Sequence, residues 1–163
     1  MRRTSKAPTV PALDAGLRLI ARRAHSRHEL RVKLRRRGYA EDDVDVTLAR
    51  LLEMGLLDDG SFAAGHVRRR SASLGPLALS AELAARGVER STAGAALERF
   101  DRSAQLASAE RLARRLAGTT SYPGYKQLLD RVGPKLVRRG FSPGIARLAC
   151  DALWSGTEDA HPA

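Results

Sequence analysis

Apolar residues recur along most of the chain at the three- and four-residue spacing that places side chains on one face of an α-helix. Over residues 11–24, for example, Leu13, Leu17, Ile20 and Ala24 fall on one face. Aromatic residues make up only 4% of the chain, whereas Ala, Leu and Arg, which are good helix formers, are abundant. The sequence therefore predicts an all-α fold.

A six-residue signature, Leu-x-x-Arg-Gly followed by an apolar residue, occurs three times. The copies are residues 34–39, 83–88 and 136–141. We interpret each copy as the end of a helix: the leucine faces inward, the arginine suits the negative carbonyl end, and the glycine adopts the left-handed conformation that stops the helix. This makes the signature structural rather than functional, and it marks the units of a repeat.

The similarity between the copies continues beyond the signature. Six, ten and thirteen residues after each glycine the chain again carries small or apolar residues at helical spacing, namely Val44, Leu48 and Leu51, then Ala93, Leu97 and Phe100, then Ala146, Cys150 and Leu153. We therefore predict three tandem three-helix units over residues 11–55, 56–102 and 103–154, flanked by a loose basic tail over 1–10 and a second loose tail over 155–163. Because such small units must dock on their neighbours, we expect an elongated array, straight or curved.

Polar residues at the predicted helix starts fit capping roles. Ser26 and Glu29 form a capping-box pattern, and Asp58-Asp59 follows a turn and opens the next helix. Ser142-Pro143 is a favourable pair for the first turn of the last helix.

The net charge is strongly positive and unevenly distributed. The formal charge is +11, and residues 1–40 alone contain twelve Lys and Arg against two Asp and Glu. Such a field favours a polyanionic partner, most often nucleic acid, or an acidic protein surface. The alternative, that the arginines are solvated helix faces with no partner, stays open at this stage.

No catalytic, cofactor or metal site is predicted. The chain lacks the glycine-rich phosphate loops and the Gly-x-Ser-x-Gly nucleophile motif, and His25, His28, His66 and His161 are scattered. Cys150 is the only cysteine, which suits a reducing compartment. No apolar run could span a bilayer and none follows the basic start, so we expect a cytoplasmic protein with no membrane partner.

Runs of arginine are the best candidates for partner binding. Consecutive arginines fan around a helix, so at least one in each run must leave the core and meet solvent or a partner, and the guanidinium fork suits phosphate and carboxylate alike. The candidate residues are Arg22, Arg23, Arg35, Arg36, Arg37, Arg68, Arg69, Arg70, Arg138 and Arg139.

Several segments resemble the RecX family of regulatory proteins: residues 23–39 with Ser-Arg-x-Glu-Leu, residues 55–63 with Leu-Asp-Asp-x-x-Phe-Ala, and residues 75–76 and 82–88. The resemblance covers about residues 13–154 and implies a monomeric bacterial modulator of RecA recombinase in DNA repair, recombination and the SOS response. Such proteins bind RecA filaments on single-stranded DNA and usually limit their growth, ATP hydrolysis and strand exchange. The chain departs from the family after Gly75-Pro76, where Leu77-Ala78-Leu79-Ser80 replaces the usual basic residues.

Two other classes of function compete with this one. A stand-alone DNA-binding protein with helix-turn-helix-like units would explain the charge, and it would bind naked duplex with a steep salt dependence. An enzyme such as a nuclease is disfavoured because no metal or acid–base constellation is present in the sequence.

Overall fold

The protein was analysed as a computed structural model, which describes residues 9–158. Within this range the chain forms nine α-helices and no strand. The helices are α1 (Ala12–Arg22), α2 (Arg27–Arg36), α3 (Glu41–Glu53), α4 (Asp59–Arg70), α5 (Pro76–Ala85), α6 (Arg90–Glu98), α7 (Arg102–Ala117), α8 (Tyr125–Arg138) and α9 (Pro143–Glu158). The predicted all-α fold is confirmed.

Two helix ends differ from the sequence prediction. The first helix ends at Arg22 rather than near residue 24, because Arg23 is already extended as the chain turns toward the next helix. The last helix continues to Glu158, beyond the expected end at residue 154. Of the predicted loose tails, residues 1–8 and 159–163 lie outside the described residues.

The described chain forms two compact units. The first compact unit contains the described residues up to Ala63 together with Leu83–Ala93, and the second contains Ala64–Glu82 together with the described residues from Gly94 onward. Leu30, Leu34, Val44 and Leu51 are fully buried in the core of the first. In the second, α7, α8 and α9 pack on one another, and Cys150 is fully buried.

The repeated signature ends each of three helices in the predicted way. Gly38, Gly87 and Gly140 have φ of 91°, 70° and 89°. The apolar residue after each glycine also takes part, because its N–H donates back to the carbonyl of the signature leucine, as from Val88 to Leu83 at 3.1 Å. This is the Schellman arrangement, in which the first and last residues of the signature commonly pack together.

The same helix ends accept hydrogen bonds from distant residues. In the first compact unit the hydroxyl of Ser26 donates to the carbonyl of Arg86 at 2.5 Å. In the second, the N–H groups of Gly75 and Leu77 donate to the carbonyls of Arg139 and Gly140 at 2.8 and 3.2 Å. The carboxyl-terminal end of one helix therefore also accepts hydrogen bonds from residues at the amino-terminal end of another.

The predicted caps are confirmed in part. Ser26 accepts a hydrogen bond from the N–H of Glu29 at 3.1 Å, and Ser142 accepts from Ile145 at 3.2 Å. The second hydrogen bond of the capping box, from the backbone N–H of Ser26 to the Glu29 carboxylate, was predicted wrongly. The Glu29 carboxylate binds Arg23 and Arg86 instead. Of the two aspartates, Asp58 caps α4, whereas Asp59 accepts from the N–H of Arg27 at the start of α2.

Candidate partner-binding surface

The carboxyl-terminal half of α1 and the face of α2 beside it surround a concave basic surface in the first compact unit. It encloses about 540 Å³. The lining residues, which together we call the basic pocket, are Leu19, Arg22, Arg23, His25, Lys33, Arg36 and Arg37. Two arginine runs that lie apart in the sequence therefore face the same space.

Most of the positive charge in the basic pocket is free to act on a ligand. Arg22, Arg36 and Arg37 are exposed and form no ion pair with any described residue. Arg23 differs, because one of its guanidinium nitrogens lies 3.0 Å from the Glu29 carboxylate. The pocket therefore carries an excess of cations that an anionic partner would neutralise.

His25 is a buried residue of the basic pocket, and the half-buried Lys33 lies beside it. Nε2 of His25 lies 2.8 Å from Nζ of Lys33, and Nδ1 lies 2.8 Å from the carbonyl of Arg23. Because the ammonium can only donate, Nε2 accepts and the ring proton sits on Nδ1. Burial lowers the pKa of His25, and burial followed by the charge of Arg23 lowers the pKa of Lys33. A neutral imidazole thus holds the lysine in place.

Glu29 joins the basic pocket to residues from the end of α5. Its carboxylate accepts from Arg23 at 3.0 Å and from Arg86 at 2.7 Å. Burial alone would raise the pKa of Glu29, but the hydrogen bonds and charges of Arg23 and Arg86 outweigh it and lower the pKa below 4.5. The ionised carboxylate is thus part of the folded structure.

This pKa shift predicts a loss of stability in acid. Because the folded state binds fewer protons than the unfolded state, the contribution of Glu29 is fully present above about pH 4.5 and is lost as the pH falls through the lower pKa of the folded state. We expect Glu29→Gln to be less stable than the wild type near neutral pH and to lose less stability below pH 4.5. Urea unfolding midpoints at several pH values measure this.

Glu53→Gln is the matched control for this prediction. Glu53 pairs with Arg50 on the surface, where both side chains are largely exposed, so the change should have little effect on the unfolding midpoint. If the midpoints of Glu29→Gln and the wild type fell in parallel in acid, Glu29 would not be the source of the pH dependence.

Arg35 does not line the basic pocket, although it belongs to the same run as Arg36 and Arg37. Its Nε lies 2.9 Å from the Glu41 carboxylate at the start of α3. Arg31 also binds Glu41, at 2.7 Å. Successive residues on a helix point about 100° apart, so one run is divided between a ligand-facing and an intramolecular side.

The Arg68-Arg69-Arg70 run at the end of α4 is divided in a similar way. Arg70 donates to both carboxylate oxygens of Glu82, at 2.9 and 3.4 Å, and His66 binds the same carboxylate at 2.7 Å. Arg68 lies on a different face and lines a groove together with Arg99 and Arg111. Arg69 is exposed.

The remaining candidates, Arg138 and Arg139, lie at the end of α8. Arg138 lines a shallow concavity of about 580 Å³ together with Arg147, over an apolar surface that includes Leu129 and Pro134. Arg139 has an exposed side chain, and its carbonyl accepts from Gly75.

Two family models match the chain in the order of its helices. RecX, first three-helix domain, matches residues 12–51, and RecX, second three-helix domain, matches residues 58–97. Curated relatives extend the similarity: the regulatory protein RecX of Mycobacterium ulcerans is 40% identical over 133 residues, covering 80% of this chain and 77% of the relative. The chain belongs to the RecX family. The RecX protein of Halorhodospira halophila is 38% identical over 140 residues, covering 85% of this chain and 86% of the relative.

Solved RecX structures share the fold. The crystal structure of RecX from Lactobacillus salivarius matches with a TM-score of 0.79 at 24% identity, over 87% of this chain and 94% of that one. The resemblance found in the sequence and the predicted tandem three-helix architecture are confirmed. The relatives are regulatory proteins by name, and no described helix is long and apolar enough to cross a membrane. The exact limits of the three units stay a prediction.

Proposed function

We propose that this RecX-family chain binds RecA filaments assembled on single-stranded DNA and limits their recombinase activity. The observation that carries the proposal is family membership, with 40% identity to a regulatory protein RecX over 80% of the chain. It places the chain among regulators, and the sequence resemblance supplies the partner. We further propose that the chain acts in the cytoplasm as a monomer.

The basic pocket supports this proposal on physical grounds. A RecA filament on DNA presents phosphate groups as well as protein carboxylates, and guanidinium forks bind both through paired hydrogen bonds. Arg22, Arg36 and Arg37 are exposed and unpaired among the described residues, so binding would not have to break an existing ion pair. The concave shape would allow several cations to reach one anionic segment.

ATP hydrolysis by RecA on single-stranded DNA tests the proposed function. We expect the rate to fall progressively as the purified chain is added, because a chain bound to the filament opposes its growth. The control is the same titration without RecA, which shows whether the chain itself hydrolyses ATP. An unchanged RecA rate at saturating chain, together with no binding of the chain to the filament in sedimentation, would contradict the proposal.

A stand-alone DNA-binding function is the second candidate, and the unpaired arginines of the basic pocket favour it as well. It differs in needing no RecA. Tight binding to naked duplex with a steep salt dependence, at protein concentrations that leave RecA unaffected, would favour it. Phosphate contacts position a protein without reading sequence, so this binding should differ little between duplexes.

A further inference from the structure

A second concave surface lies in the second compact unit, between the carboxyl-terminal part of α4 and the middle of α7. We call it the α4–α7 groove; the end of α6 and the residues that follow it close one side. The groove encloses about 510 Å³, too much space for a single ion. Its lining residues are Ala64, Val67, Arg68, Ser71, Ala96, Arg99, Phe100, Ala104, Ala107, Ser108 and Arg111.

The floor of the α4–α7 groove is apolar. Val67 and Phe100 are buried in it, and small alanines from three helices line the rest. The one buried polar side chain, Ser108, already donates its hydroxyl to the carbonyl of Ser71. The floor therefore offers contact mainly to apolar groups, and the hydroxyl of the half-buried Ser71 is the other polar side-chain group in its lining.

The rim of the groove is cationic. Arg68 comes from α4, Arg99 from the turn after α6 and Arg111 from α7; all three are exposed, and none forms an ion pair with a described residue. Arg70 shows the contrast, because Glu82 binds it with two hydrogen bonds. The charge on the rim is thus available to a ligand, in a chain whose formal charge is already +11.

We propose that the α4–α7 groove binds an acidic, amphipathic segment of a partner protein. Apolar side chains of that segment lie on the floor, and its carboxylates receive hydrogen bonds from the three rim arginines. A nucleic acid fits less well, because Phe100 is only 6% exposed and cannot stack on a base. If the segment belongs to the filament protein, that assignment rests on the proposed function. The binding of an acidic, amphipathic segment is argued from the groove alone.

Synthetic peptides test the proposal on the full chain without RecA, so the result is independent of the proposed function. The probe is a fluorescein-labelled helical peptide of about 16 residues, with leucines on one face and glutamates on the other. A second peptide replaces the leucines by serine and keeps the charge. By fluorescence anisotropy, we expect the leucine peptide to bind at least about tenfold more tightly, the equivalent of ~1.4 kcal/mol.

Three variants locate the binding. Ala107→Trp fills the groove from an exposed position without changing charge, and Arg99→Glu/Arg111→Glu reverses two rim charges. We expect each to weaken the leucine peptide at least about tenfold. Arg131→Glu, at an exposed position of α8 that does not line the groove, is the control and should change little. Circular dichroism checks that every variant is folded.

An oligothymidylate of about 20 nucleotides tests the alternative occupant. We expect Ala107→Trp to leave its affinity unchanged. If Ala107→Trp weakened the oligonucleotide and not the leucine peptide, the occupant would be nucleic acid and the proposal would be overturned. Equal affinity of the leucine and serine peptides would overturn it too, since binding would then be electrostatic alone.

Discussion

Gly140→Ala is expected to lower the free energy of unfolding by about 2–5 kcal/mol. Gly140 has φ of 89°, where an L residue is strained by roughly 1–2 kcal/mol. A Cβ there would also lie 2.4 Å from the backbone nitrogen of Ala78 and 2.6 Å from its Cβ, so backbone must shift. Overpacking of this kind typically costs about 1–3 kcal/mol more. Urea denaturation followed by circular dichroism measures the loss.

Gly55→Ala, at the end of α3, separates the two causes. Gly55 has φ of 66° and the same hydrogen-bond pattern, because Leu56 N–H donates to the carbonyl of Leu51 at 3.0 Å, but a Cβ at Gly55 would meet nothing within 4 Å. It should therefore cost only the conformational strain, roughly 1–2 kcal/mol. Equal losses in the two variants would show that the close approach of Gly140 to Ala78 contributes nothing.

The repeated signature shows what sequence reasoning can and cannot reach. Its leucine, arginine and glycine follow local rules of helix termination, and these predicted the stops at Gly38, Gly87 and Gly140. The rules give no information about tertiary partners. The hydroxyl of Ser26 reaches the carbonyl of Arg86 across 60 positions of sequence, and such contacts depend on how the helices pack.

The candidate surface was predictable only in part for the same reason. Runs of consecutive arginines pointed to Arg22 and Arg36, but spacing along the chain does not show that α1 and α2 bring them to one pocket. Arg99 and Arg111 were not predicted, because each stands alone in the sequence and only the packing of α4 and α7 places them around one groove with Arg68.

The sequence also could not show which arginines are already neutralised. Arg35 and Arg70 have the same chemistry as their neighbours, but Glu41 and Glu82 bind them. The nearest acidic partner follows from helix orientation, not from spacing along the chain. The number of arginines in a sequence cluster is therefore larger than the number of unpaired cations that a partner can contact.

Reversing the free charge of the basic pocket is expected to abolish the effect of the chain on RecA. In Arg22→Glu/Arg36→Glu/Arg37→Glu, three exposed cations that have no described ion-pair partner become anions and repel the filament. Each cation–phosphate contact with a single strand contributes about 0.7 to the slope of log affinity against log salt. If all three contact DNA, the slope for binding to the filament should fall by about 2.

A second triple variant with the same net charge decides whether position matters. Arg90→Glu/Arg102→Glu/Arg131→Glu changes three exposed arginines outside the basic pocket and the α4–α7 groove. At about 0.1 M salt, ions in solution screen electrostatic interactions over distances longer than about 10 Å. This variant should therefore keep most of the filament binding and the salt dependence of that binding. Equal loss in both triple variants would mean that RecA filaments respond to the overall charge. A loss of filament binding only in the basic-pocket variant would assign the filament contact to the ends of α1 and α2. The α4–α7 groove would then be free to bind a protein segment at the same time.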